Sequence, residues 1–182
     1  MENIETGRLL LRKFNKNDAE KCFVNFGQDR ALGRYLPMYP VETVEKMEEI
    51  VCGFVNAYTF GAFIWLIEKK NTHEPIGYVT VDIPYPELGV GEIAYLLGKK
   101  YQGERYALEA VQAVIDFMFQ TSDLQLIEAK YNQNNIASAK LLERLHFIKE
   151  CTLRDRRIDF FTKEKCNLII CSLKKDEFLG GI

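Results

Sequence analysis

The chain has 182 residues, 47% hydrophobic and 27% charged, and 24 Lys and Arg against 26 Asp and Glu give a formal net charge of −2. That length suits one domain with one sizeable core, and no Pro/Gly/Ser-rich stretch or charge run offers a linker, so residues 1–182 read as a single domain. The absence of a general basic field argues against nucleic acid as a partner, and no apolar run approaches the roughly 20 residues of a membrane span, which argues against a membrane protein.

The first residues, M-E-N-I-E-T-G-R, lack the basic start and apolar block of a secretory signal. Five cysteines, Cys22, Cys52, Cys151, Cys166 and Cys171, form an odd set with no C-x-x-C pair, and His73 and His146 have no ligand partner at metal spacing. Reduced thiols in the cytoplasm and no metal site are the expectation.

In chain order, Arg8 to Lys13 is a short apolar run that predicts a first strand. Asn17 or Asp18 then caps a helix reaching about Gln28, and a second helix is expected from about Thr43 to Tyr58. Between them, Tyr35-Leu36-Pro37-Met38-Tyr39-Pro40 cannot be continuous helix, because each proline removes a donor and restricts the residue before it. Ala62 to Glu68 and Ile76 to Ile83 are rich in β-branched and aromatic residues, and Asn71 to Pro75 supplies the turn of a hairpin. After a break at Pro84-Tyr85-Pro86 come a strand at Glu92 to Leu97 and a helix whose Ala107, Val111, Val114, Ile115 and Met118 repeat at helical spacing. A strand at Leu124 to Tyr131, a helix at about Ile136 to Leu145, and strands near Phe147 to Leu153 and Asn167 to Leu173 complete the series.

This order predicts an α/β fold: a mixed, mostly antiparallel sheet of about six to seven strands with helices on both faces. The central β-α-β unit predicts a parallel strand pair around the helix that starts near Ala107. Residues 92–107, E-I-A-Y-L-L-G-K-K-Y-Q-G-E-R-Y-A, run from strand through a Gly-containing turn straight into that helix. A helix N-terminus offers unpaired N–H donors and the positive end of the dipole, so such a turn is a ready anion site.

Three segments together, E-T-G-R-L-L-L-R at 5–12, the 92–110 stretch ending A-L-E-A, and I-E-A-K-Y-N-Q-N-N-I-A-S-A-K-L-L-E-R-L-H-F at 127–147, resemble the GNAT acetyltransferase superfamily. The closer likeness is to its Rim-type branch of RimJ/RimL-like, ribosomal-protein N-acetyltransferase-like enzymes, over nearly the whole chain. The resemblance implies transfer of an acetyl group from acetyl-coenzyme A to a primary amine on a protein N-terminus or a small molecule, with no metal. A homodimer stays open.

The family's pyrophosphate turn, Gln/Arg-x-x-Gly-x-Gly/Ala, falls on Gln102, Gly103, Glu104, Arg105, Tyr106 and Ala107, so that Arg105 stands where the pattern has its central glycine. Glycine serves there by permitting positive φ; another L-residue in left-handed geometry costs about 1–2 kcal/mol, which a charge-assisted contact between arginine and phosphate would offset. Asn135 and Ser138 form an N-x-x-S motif whose residue types suit helix capping. The resemblance adds contacts to the pantetheine arm, and makes the backbone N–H groups of Tyr95, Leu96 and Leu97 the donors that polarise the thioester.

Direct attack on a thioester requires a neutral amine. A lysine-type amine with pKa near 10.4 costs about 4–5 kcal/mol to deprotonate at pH 7, and a terminal α-amine near 8 much less. The resemblance makes Glu92 or Glu128 the candidate base, acting through water. It also places a tyrosine acid at the position that is Leu142 here, leaving Ser138 or Tyr131 to protonate the departing thiolate. Tyr35, Tyr39, Trp65, Tyr85 and the Arg154 to Arg157 cluster are candidates for an acceptor pocket, against core packing or solvation. The alternative reading, favoured by Arg105 and Leu142, is a catalytically weak or inactive module of the same fold that binds acyl-coenzyme A and regulates or recruits. A dinucleotide-binding domain is excluded by the missing G-x-G-x-x-G.

Overall fold

The computed structural model describes residues 1–36 and 38–179, the last by its backbone alone. Pro37, within the expected 35–40 connection, lies outside the described residues. The elements are β1 (Ile4–Glu5), β2 (Leu9–Arg12), α1 (Ala19–Cys22), α2 (Val44–Ala57), β3 (Phe63–Lys69), β4 (Pro75–Tyr85), β5 (Val90–Leu97), α3 (Tyr106–Thr121), β6 (Leu126–Asn132), α4 (Ile136–Arg144), β7 (Ile148–Ile158), β8 (Lys165–Lys174) and α5 (Lys175–Leu179). Among the described residues, eight strands hydrogen-bond in the order β1-β2-β3-β4-β5-β6-β8-β7. β5 and β6 run parallel, whereas β1–β2, β2–β3, β6–β8 and β7–β8 are antiparallel. The mixed, mostly antiparallel sheet is therefore present, with one strand more than expected. Ile4–Glu5 pairs with Leu11 and Leu10 as a two-residue strand, too short for any periodicity to signal.

Three local corrections have physical causes. The first helical segment is capped by Asn15, not Asn17 or Asp18. The Asn15 side chain accepts from Asn17 N–H at 2.9 Å and the Asp18 carboxylate accepts from Asn15 N–H at 2.8 Å, a capping box. Asp18 and Glu68 are both buried, and the Arg12 guanidinium donates to both carboxylates at 2.7–2.8 Å. Second, β4 continues through Pro84 to Tyr85 and the break falls at Pro86–Leu88, since a strand end tolerates the missing proline N–H. Third, β7 extends to Ile158 instead of ending near Leu153. Register shifts between Lys149 and Cys151 and between Leu153 and Arg157 let the strand resume pairing, with Asp155 at φ 55 inside the second.

The chain resolves into two compact units, Met1–Thr80 with Tyr95–Val114, and Val81–Ala94 with Ile115–Ile182. The first is built on a core of Phe14, Phe26, Met47, Val51, Leu66 and Tyr78, with Leu96 of β5 buried among them. Gly77 lets the β4 backbone approach β5: a Cβ there would sit 2.1 Å from the Leu96 carbonyl oxygen, and Gly98 N–H donates to Ile76 O at 2.9 Å. The second unit buries Ile127 and Ala129 of β6, Leu142 of α4, Leu173 of β8, and Ile115 and Met118 from the later turns of α3. Among the described residues no helix is long and apolar enough to cross a membrane.

Candidate functional site

The candidate site residues fall into two groups, one in each unit. In the first unit, Leu96 and Leu97 close β5 as buried residues and Tyr95 is half-buried. A 3₁₀ turn, Lys99–Tyr101, follows and is fixed from outside: Lys99 N–H donates to Asp29 Oδ2 at 2.6 Å, and Lys100 Nζ donates to Asn25 Oδ1 at 2.9 Å. Gln102 folds back, its Nε2 donating to the Leu97 carbonyl at 3.0 Å, so the first residue of the turn also ties down the end of β5. The backbone then passes through two left-handed residues, Gly103 at φ 92 and Arg105 at φ 63, and α3 starts at the next residue, Tyr106. Arg105 thus occupies the backbone region expected of the glycine it replaces. Residues Gln102 to Arg105 are exposed, while Tyr106 and Ala107 are half-buried.

This turn is held by residues distant from it in sequence. Glu109, in the first turn of α3, accepts through Oε1 from the Thr6 hydroxyl at 2.5 Å and from Arg8 N–H at 2.9 Å. Its Oε2 accepts from the Arg8 guanidinium at 2.6 and 2.7 Å. The remaining arm of Arg8 donates to the Glu104 carbonyl at 3.0 Å, and the guanidinium lies 4.4 Å from the centre of the Tyr106 ring. Burial alone would push the Glu109 carboxyl up, but the bonds from Thr6 and Arg8 outweigh it and hold the group below its ordinary value of 4.5. Thr6 and Arg8 belong to the E-T-G-R segment that carries part of the family resemblance, and no local sequence feature pairs them with Glu109.

In the second unit, Glu92 and Glu128 stand directly opposite in the parallel ladder, which runs from Val90 with Leu126 to Ile93 with Ala129. Two half-buried carboxylates so placed would repel, and Lys130 answers both: its Nζ is 2.5 Å from Glu92 Oε2 and 3.9 Å from Glu128 Oε2. The two candidate bases are therefore brought together around one ammonium, which sequence alternation could place beside Glu128 but not beside Glu92. Tyr131, the next residue, is half-buried. Burial first, then the neighbourhood of Cys171 and Glu143, holds its phenol above the usual range, so it keeps its proton at neutral pH.

Asn135 caps α4, its Oδ1 accepting from Ser138 N–H at 3.2 Å. Asn132 builds the turn before it, accepting from Asn134 N–H at its side chain and from Asn135 N–H at its carbonyl. The capping role expected from chemistry is thus real, and it leaves the Asn135 amide nitrogen and the Ser138 hydroxyl outside those bonds. At the far end of α4, His146 takes φ 64 and donates its N–H to Glu143 O, while Phe147 N–H donates to Leu142 O, a Schellman motif built without glycine. Leu142 is buried, and no acid occupies its place.

Of the acceptor-pocket candidates, Trp65 and Tyr39 belong to the core instead. Trp65 is fully buried with its indole N–H donating to Glu2 O, and Tyr39 is 4% exposed. Tyr85 is exposed, and Arg154, Arg156 and Arg157 lie exposed along β7 rather than in a loop.

The model of the acetyltransferase (GNAT) domain matches residues 8–148. Over 99% of its length the chain is 35% identical to an uncharacterised N-acetyltransferase, p20, of Bacillus licheniformis, all of which is covered. Among solved structures, ribosomal-protein-S5-alanine acetyltransferase from Vibrio fischeri superposes with a TM-score of 0.84 at 26% identity, covering 98% of this chain and 99% of that one. The RimL ribosomal L7/L12 α-N-protein acetyltransferase in complex with coenzyme A superposes with a TM-score of 0.85 at 21% identity, over 97% and 99% of the two chains.

Proposed function

The chain belongs to the acetyltransferase (GNAT) domain family, and from that premise we propose that residues 1–182 act as one cytoplasmic domain that carries an acetyl group from acetyl-coenzyme A to a primary amine within a ternary complex. The observation that supports this most is the 102–107 turn. Two left-handed residues, Gly103 and Arg105 on either side of Glu104, bring the backbone round so that α3 begins at Tyr106, with its first amides lacking intrahelical acceptors. Such amides at the positive end of a helix dipole suit a pyrophosphate, and the exposed Arg105 side chain adds a cation beside them. When bound, the coenzyme supplies an activated thioester.

Asn135 and Ser138 hold the pantetheine arm through the polar atoms that capping leaves over, and the N–H groups of Tyr95, Leu96 and Leu97 polarise the carbonyl. Glu92 or Glu128 receives the amine proton through water, with Lys130 balancing the paired carboxylates before the proton arrives. Tyr131, which holds its proton at neutral pH, or Ser138 returns one to the thiolate. An α-amine is favoured as acceptor because it is far cheaper to neutralise than a lysine, and the similar Vibrio fischeri protein is an acetyltransferase of a ribosomal-protein alanine.

Calorimetric titration with acetyl-coenzyme A tests the reading, followed by thiol release across N-terminal peptides, polyamines and amino acids. Saturable heat and thiol release with an N-terminal peptide are expected; no heat at millimolar coenzyme would overturn the enzyme reading.

A further inference from the structure

Glu109 places a carboxylate in the first turn of the helix whose N-terminus is read above as the pyrophosphate site, where a bare negative charge would oppose a phosphate. Arg8 meets that charge with two guanidinium nitrogens and uses a third to hold the Glu104 carbonyl inside the turn. It does so from 101 positions away in sequence, and its plane also covers the Tyr106 ring. Thr6 completes the lock, its hydroxyl donating to Glu109 while also accepting from Leu9 N–H at 2.9 Å, which fixes the bend that presents Arg8.

We propose that Arg8 is a positioning residue for coenzyme binding: by neutralising Glu109 and clamping the Glu104 carbonyl, it holds the 102–107 turn in its phosphate-accepting form and cancels the negative charge that Glu109 sets into the first turn of α3. The proposal rests on the pyrophosphate reading of that turn. It makes the E-T-G-R segment part of the coenzyme-binding machinery through its bonds to Glu109 and Glu104. Geometry explains why arginine is required. One planar fork reaches Oε2 of Glu109 twice and a backbone carbonyl once, which a lysine ammonium cannot do from the same stem.

The test is calorimetric titration of the full chain with coenzyme A, comparing wild type with Arg8→Ala, Arg8→Lys and the double variant Arg8→Ala/Glu109→Gln. Arg8→Ala should weaken binding about tenfold or more, because it leaves Glu109 uncompensated beside the site. The double variant should recover most of that loss by removing the stranded charge, a gain that a merely structural role would not produce. If Arg8→Ala fails to fold, Arg8→Lys, which keeps the charge and loses the fork, carries the test with an expected loss of about threefold. Wild-type binding with Arg8→Ala or Arg8→Lys unchanged overturns the proposal, as does a double variant no tighter than Arg8→Ala. A wild type that gives no heat overturns the pyrophosphate reading itself, and the two failures are thereby distinguished.

Discussion

Helix α4 closes its own N-terminus: Asn135 caps it, Asn132 shapes the turn before it, and each bond spans two or three residues. Helix α3 begins differently. Its chain enters through a left-handed arginine, and Glu109, the acidic residue of its first turn, turns away to Thr6 and Arg8, more than 100 positions distant. A self-capped helix spends a side-chain acceptor on its own orphan amides, whereas a remotely braced one keeps its turn rigid while leaving those amides to a ligand. On the function proposed above, this contrast is why the α3 start is left to a phosphate and the α4 start to the neutral pantetheine arm.

The largest effect expected from breaking this contrast is Glu109→Ala. It strips the acceptor from the Thr6 hydroxyl, Arg8 N–H and the Arg8 guanidinium at once, and should lower unfolding free energy by about 2 kcal/mol in urea titration. Asn135→Ala removes one local cap and should cost about 1 kcal/mol by the same measurement. If Asn135→Ala proves the costlier, the bracing of α3 is weaker than its geometry implies.

Arg105→Gly sharpens the role of the turn. Arg105 already stands at φ 63 in the free chain, so its backbone strain is present before and after a ligand arrives and drops out of the affinity. What glycine removes from binding is the guanidinium alone, and coenzyme A should bind about threefold to tenfold more weakly. Stability should change by less than about 1 kcal/mol, since relief of strain and the extra freedom of glycine in the unfolded chain oppose each other. Tighter binding by Arg105→Gly would mean that the side chain obstructs the site.

The same contrast explains what the sequence made legible. Elements written in local chemistry were readable: the α2 helix from about Thr43, the β3–β4 hairpin, the Asn135 cap and the left-handed position of Arg105. Features that depend on strands meeting across the sheet were not. Lys130 bridges Glu92 and Glu128 only because the parallel register sets Glu92 opposite Glu128, and Trp65 turned out to be core because Glu2, at the start of the chain, receives its indole N–H. The clamp on Glu109 belongs to this second kind, since nothing within ten residues of Glu109 announces a partner at Arg8. The Rim-type likeness marks the E-T-G-R segment as a motif without giving it a role.

The smallest effect separates the two helix starts by pH. Burial raises the Glu109 carboxyl, but the bonds from Thr6, Arg8 N–H and the Arg8 guanidinium prevail and hold it below 4.5 in the folded chain. A group depressed in this way contributes stability that is complete above about pH 4.5 and lost as pH falls through the folded value. Asn135 and Asn132 are neutral carboxamides and titrate nowhere in that window. Hydrogen exchange, corrected for intrinsic rates, should therefore show the Glu109 amide, which donates to Arg105 O at 3.1 Å, losing protection on acidification before the Ala139 amide, which donates to Asn135 O at 3.1 Å. Glu68, held low in the same direction against its burial by His73 and Arg12, destabilises the whole chain in the same range, so the comparison must be local. Glu109→Gln supplies the control: with no carboxyl left to titrate, the two amides should lose protection in step, and a persisting lead for residue 109 would show that something other than the Arg8 clamp makes the start of α3 acid-sensitive.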